Sequence, residues 1–174
     1  MIIGIVSDTH GQIDSLRSAL EIFSARGVQA VVHCGDIDSA ECLEALAGLG
    51  VPTYAVGGNM DANLTDLPRL ADIAGVVFSW DSLAFSIGQN TCVAVTHGHN
   101  PRVMADLMEN PANKFLFHGH THCQRDEHVE RGDRAAAIHV INPGALHKPK
   151  SPTHPTVAVL DTDRDVVEFL DVQP

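Results

Sequence analysis

The chain has 174 residues, of which 44% are hydrophobic, so it is sized and composed for one globular domain spanning residues 1–174. Its formal net charge of −11 argues against a duplex nucleic-acid partner, which binders meet with a basic surface. No apolar run is long enough to cross a membrane and the N-terminal apolar stretch lacks a basic flank, so a cytoplasmic location is expected.

In chain order, Met1–Ser7 (MIIGIVS) is a continuous apolar run, the pattern of a strand buried on both faces. Ile13, Leu16, Leu20 and Phe23 then recur at helical spacing, and Gly27 marks the stop. Ala30–His33 reads as a second strand. Asp38 with Glu41 resembles a capping box opening a helix through Leu43, Leu46 and Leu49, which Gly50 and Pro52 end. Thr53–Val56 is a third strand, and the β-α-β-α-β order implies parallel pairing with crossover helices.

The second half changes character. Leu83–Ile87 and Thr91–Thr96 flank Gly88-Gln89-Asn90, a hairpin-turn signal. A helix is expected over Arg102–Glu109 after Pro101, and a strand over Lys114–Phe117. Three strand-like segments follow at Cys123–Glu130, Ala135–Ile141 and Thr156–Leu160, and Asp165–Leu170 closes the chain. The mixture predicts an α/β fold of two packed sheets with helices outside. The proline-rich segment His147–Pro155 is a loop too short to divide domains. The four cysteines form no C-x-x-C pair, so buried reduced thiols are expected in place of a disulfide framework or zinc ribbon.

Five patches carry the chemistry: Asp8-Thr9-His10, Gly35-Asp36, Gly58-Asn59, His97-Gly98-His99 and Gly119-His120-Thr121-His122. Most follow a predicted strand directly. In α/β sheets ligands gather beyond the carboxyl ends of strands, so residues far apart in sequence can converge on one rim. Five of the eleven histidines fall in His97–His99 and His118–His122. Carboxylates can bridge two cations, neutral imidazole suits ions such as Mn, Fe, Zn or Ni, and an asparagine carbonyl ligates without adding charge. Two such ions a few ångströms apart are a device for attacking phosphate esters with water.

The ordered series D-x-H, G-D, G-N, H and G-H-x-H resembles the calcineurin-like metallophosphoesterase superfamily. The opening IIGIVSDTHG and the patch HGHTH are most similar to its small bacterial and archaeal phosphodiesterase branch. The resemblance covers positions 2 to about 150 and implies a two-sheet αββα sandwich with mixed parallel and antiparallel sheets. It further implies two divalent metal ions, manganese foremost. Asp8, His10 and His122 would hold one, Asn59, His97 and His120 the other, with Asp36 bridging them. The implied activity is hydrolysis of phosphodiester bonds by metal-activated water, with a small phosphate ester as the substrate. A protein-interaction scaffold of the same fold, or a nuclease on short nucleic acid, are the alternatives.

One departure stands out. Where the superfamily usually has G-N-H, this chain has Gly58-Asn59-Met60, and Met60 cannot donate a proton to a leaving group. His99 and Asp61 are the candidate proton donors, with a supporting role for His99 as the other reading. Lys148 and Lys150, in the loop after Asn142-Pro143-Gly144, either attract phosphate or are solvated. Trp80, with Phe78 and Phe85, belongs to the core or to a contact between copies in a homo-oligomer. The second aspartate of haloacid-dehalogenase-type phosphatases, the Walker G-x-x-x-x-G-K-[ST] and the deaminase P-C-x-x-C are all missing.

Overall fold

A computed structural model of the chain describes residues 1–88, 91–132 and 135–173. The elements run β1 (Ile2–Val6), α1 (Ile13–Ala25), β2 (Ala30–His33), α2 (Ala40–Ala47), β3 (Thr53–Val56), a 3-10 turn (Asp61–Asn63), α3 (Leu67–Ala74), β4 (Val77–Ser79), β5 (Ser82–Gly88) and β6 (Thr91–Thr96). They continue with α4 (Pro101–Glu109), β7 (Asn113–Phe117), β8 (Gln124–Arg131), β9 (Ala135–Pro143), β10 (Thr156–Asp161) and β11 (Val166–Asp171). One sheet has the order β11-β10-β1-β2-β3-β4 and the other β5-β6-β7-β9-β8. The expected two-sheet αββα sandwich is what the chain adopts.

Both sheets are mixed. β1, β2, β3 and β4 pair in parallel and β10 joins β1 antiparallel. In the second sheet β6, β7 and β9 are parallel, flanked by antiparallel β5 and β8. Side-chain alternation sorts the core into three layers. Ile3, Ile5, Val32 and Val56 face Val93, Val95, Phe115 and Phe117 between the sheets. On the other face of the first sheet, Val6, Val31 and Ala55 meet Leu16, Phe23, Leu43 and Leu67 of α1, α2 and α3. On the outer face of the second, Leu116, Ile138 and Val140 meet Met104 and Leu107 of α4. The continuous apolar run of β1 is thus explained: protein covers both its faces.

Some local expectations change. Ser39, not Asp38, caps α2, its side chain accepting from the Cys42 N–H at 3.0 Å. Asp38 has a left-handed backbone (φ +58) and turns its carboxylate to His10 instead. Asp61–Asn63, α3 and β4 lack a clear sequence signal, because three short elements in succession leave no room for a period to show. The hairpin residues Gln89 and Asn90 lie outside the described residues. Phe85 stacks on Tyr54 at 3.9 Å between the sheets, whereas Trp80 is exposed and packs edge-on to Phe78 at 5.2 Å. All four cysteines are free, Cys34 and Cys42 buried, Cys92 and Cys123 half-buried.

Candidate metal centre

The parallel strands of both sheets end on one rim. Asp8 and His10 follow β1, Asp36 follows β2, Asn59 follows β3, His97 follows β6, and His120 with His122 follows β7. Backbone hydrogen bonds fix these loops to each other: Asp8 N–H donates to the Gly35 carbonyl, His10 N–H to Asp36, and Gly119 N–H to His97. Asp8, His10, Asp36, His120 and His122 all have positive φ, between +47° and +66°. Aspartate and histidine tolerate this region better than most residues, yet each such position costs about 1 kcal/mol or more. Strain gathered at one rim is what a functional site carries.

Gly35 (φ +95) does two things here. It reverses the chain before Asp36, and its missing side chain admits the His97 ring, whose Nδ1 would lie 2.6 Å from an added Cβ.

Three imidazoles are anchored alike. His97 Nδ1–H donates to the Cys34 carbonyl at 2.8 Å, His122 Nδ1–H to the Lys148 carbonyl at 2.9 Å, and His10 Nδ1–H to Asp38 at 2.7 Å. Each ring then turns Nε2 toward a carboxylate. His97 and His10 Nε2 lie 3.3 and 3.7 Å from Asp36 Oδ2, and His122 Nε2 lies 3.2 Å from Asp8 Oδ1. Asp8 Oδ1 is buried and makes no hydrogen bond among the described residues. A lone pair facing a carboxylate is repulsive unless a cation stands between them.

At this rim two groups of side chains have ligand atoms close enough to share an ion: Asp8 with His10 and His122, and Asp8 with Asp36 and His97. Asn59 Oδ1 adds to the second at 3.2 Å from His97 Nε2. His120 stands at its outer edge, exposed, its ring 5.2 Å from that of His97. The residues present therefore fit a divalent cation, by an orphaned buried oxygen and a mixed imidazole and carboxylate donor set.

The charges reinforce each other. Burial works against ionised Asp36 and Asp8, but His97 and His122 outweigh it and hold both carboxyls below their usual range. Asp8 raises His122 in return, and Asp36 raises His97 despite burial. Carboxylates that draw protons to these rings draw cations as strongly.

A family model for the calcineurin-like phosphoesterase superfamily domain matches residues 1–165. The chain belongs to that superfamily. It is 32% identical over 165 residues to phosphodiesterase MJ0936 of Methanocaldococcus jannaschii, covering 94% of this chain and 95% of that one. It is 27% identical to phosphodiesterase YfcE of Escherichia coli strain K12, covering 90% and 85%. A solved archaeal phosphodiesterase superposes with a TM-score of 0.84 at 28% identity, covering 99% of this chain and all of the other.

Within this superfamily fold, the two candidate proton donors part company. His99 is exposed on the rim, its ring 5.4 Å from His97 and 6.2 Å from His120. Asp61 is fully buried and faces inward, accepting from the backbone N–H groups of Ile37, Asp38 and Gly58 at 3.0, 2.8 and 2.8 Å. Reading Asp61 as a proton donor is therefore corrected: both its oxygens tie the loop after β2 to the loop after β3. Met60 is 54% exposed beside Asn59, and its N–H donates to Asp36 Oδ1 at 2.9 Å. The loop carrying Lys148 and Lys150 lies at the rim, through the Lys148 carbonyl on His122 and the Lys150 N–H on the His122 carbonyl. His147 sits there too, its ring 5.5 Å from His10.

Supporting residues were hidden from the sequence. Asn142 donates to the Gly119 carbonyl at 2.8 Å and to Thr121 Oγ1 at 3.0 Å, bracing the loop of His120 and His122. His33 is buried, with Nδ1 accepting the Gly35 N–H at 3.1 Å and Nε2–H donating to Thr9 Oγ1 at 2.7 Å. It links the loops of Asp8 and Asp36 in the neutral form. Nothing in an apolar strand ending AVVH distinguishes such a histidine from a core residue.

Burial drives the His33 imidazole down from 6.5 to about 4. Above pH 6.5 both folded and unfolded chains hold it neutral. Below that the unfolded chain takes up the proton first, so folding stability falls as pH drops toward 4. The expected loss for the metal-free protein is on the order of 3 kcal/mol. Denaturant titrations from pH 7 to 4 should show this slope reduced in His33→Asn; equal slopes would refute the assignment.

Proposed function

We propose that the protein hydrolyses phosphodiesters with two divalent cations, manganese foremost, at the rim described above. Asp8, His10 and His122 would hold one ion, Asn59, His97 and His120 the other, and Asp36 would bridge them. The observation that carries the reading is the set of anchored rings: three Nε2 atoms aimed at two buried carboxylates, one oxygen of which has no hydrogen bond among the described residues. The names of the relatives, phosphodiesterases of an archaeon and a bacterium, support the same substrate class.

Bound cations would supply an acidified water and charge stabilisation for the transition state. The chain's own residues hold and bias the site. Asp38, the Cys34 carbonyl and the Lys148 carbonyl fix which ring nitrogen is free to ligate. Met60 leaves the position beside Asn59 without a proton to give. His99, exposed and next to His97 and His120, is the group we assign to proton donation. Such an arrangement favours substrates with good leaving groups, and diesters over monoesters, whose leaving oxygen needs more help.

The test is hydrolysis of a chromogenic bis-aryl phosphodiester and of the matching monoester across a panel of divalent ions. The diester should turn over faster, with Mn among the best activators, and His99→Ala should lower kcat by at least about 10-fold at unchanged metal content. No turnover with any ion bound would overturn the enzyme reading and favour a scaffold. An unchanged kcat would remove His99 as the donor.

A further inference from the structure

A second group of ligand side chains lies at the other end of the sandwich. His128 on β8 and His139 on β9 are direct cross-strand partners, their rings stacked at 4.1 Å and 25°. Asp165 reaches them from the turn between β10 and β11, where its φ is +56°. That turn adjoins the amino end of β1, since Asp161 pairs with Ile2, whereas Asp8 follows the carboxyl end. The group is thus separate from the rim that carries the phosphodiesterase site, and it joins one sheet to the other.

Its geometry repeats the logic of the rim. His139 is 2% exposed, with Nε2 2.6 Å from Asp126 Oδ1 and Nδ1 2.7 Å from Asp165 Oδ1. His128 Nε2 lies 3.7 Å from Asp165 Oδ2. A carboxylate only accepts hydrogen bonds, and a neutral imidazole donates one. With Nε2–H given to Asp126, Nδ1 of a neutral ring has no proton for Asp165 Oδ1 at hydrogen-bond distance, a deficit filled by a second proton or by a metal ion that both atoms ligate once they part by a few tenths of an ångström. A metal-ligating histidine characteristically donates its other N–H to a carboxylate, which is what Asp126 provides. A proton would satisfy His139 alone, whereas a metal ion would also use His128, whose Nε2 is aimed at the same carboxylate. Lys114 Nζ, 3.4 Å from Asp165 Oδ2 and 42% exposed, can swing away when an ion neutralises Asp165.

We propose that His128, His139 and Asp165 form a second metal site, for an ion of the zinc class, which clamps the β8–β9 ribbon to the β10–β11 turn. Three protein ligands and a water would complete a tetrahedral set. The site is structural in this reading: it takes no part in the hydrolysis at the rim.

The experiment counts zinc. Metal-free protein, His128→Ala and Asp165→Asn are each dialysed to equilibrium against micromolar zinc, and bound metal is measured by elemental analysis beside a thermal melt. Wild type should hold one more equivalent per chain than either variant, and zinc should raise its melting temperature more than theirs. His128 is exposed, so His128→Ala keeps the fold and decides the matter if Asp165→Asn does not fold. Its diester hydrolysis should match wild type. Equal zinc content in folded wild type and His128→Ala would overturn the proposal and leave a proton-held ion-pair cluster. An extra equivalent that appears only at millimolar zinc would overturn it as well.

Discussion

Replacing Asp36 with Asn should lower phosphodiester hydrolysis by about 10³-fold or more while leaving the protein folded. The two oxygens of Asp36 have different tasks. Oδ1 accepts the Met60 N–H at 2.9 Å, and an asparagine carbonyl can keep that bond. Oδ2 faces His97 and His10 at 3.3 and 3.7 Å, where an amide would put N–H donors in place of a negative oxygen. The substitution removes the charge that would sit between two cations but retains the volume and the loop hydrogen bond. Bound metal per chain should fall along with the rate, while a cooperative thermal melt of the metal-free variant shows that the fold is retained. Activity within tenfold of wild type, with the fold intact, would show that Asp36 does not bridge.

Replacing Asp61 with Ala should destabilise the protein by about 3–9 kcal/mol, because three backbone N–H groups lose their acceptor and each unsatisfied buried group costs about 1–3 kcal/mol. Domains of this size have about 5–15 kcal/mol in hand, so most of the margin is at stake. The loss has a functional consequence. Ile37 and Asp38 follow Asp36 directly, and Gly58 precedes Asn59, so Asp61 sets the distance between two proposed ligands. Denaturant unfolding of the metal-free protein checks the stability, and metal titration checks the coupling. Asp61→Asn keeps one acceptor oxygen and should fall between. A proton donor would behave otherwise: its loss would cut the rate most for poor leaving groups and leave unfolding unchanged. A stability change under about 1 kcal/mol for Asp61→Ala would contradict the bracing role.

Gly58 explains why so much depends on that carboxylate. A Cβ there would collide with the Asp36 backbone and side chain, so the loops after β2 and β3 touch without side chains between them. Close backbone approach brings Asn59 within 3.2 Å of His97, and a buried carboxylate is the device that holds it.

Most strands, and the seven residues proposed as ligands, could be read from the sequence alone. β2 and β3 match their apolar runs residue for residue, because a strand covered on both faces must be apolar throughout. The ligand patches were legible because metal-binding side chains are chemically distinctive and follow those runs directly. Only the tertiary structure decided the roles of Asp38, Asp61, His33 and Asn142. Each is a polar residue that a local reading assigns to a cap, a rim or a core, and each has a partner 21 to 28 residues away that gives it its role. Periodicity reports which face of an element is buried; it does not report which backbone group from another loop will meet a side chain there. The pairing of His128 with His139, and of both with Asp165, has the same origin: strand register and a turn from the opposite sheet bring together residues that no sequence spacing links.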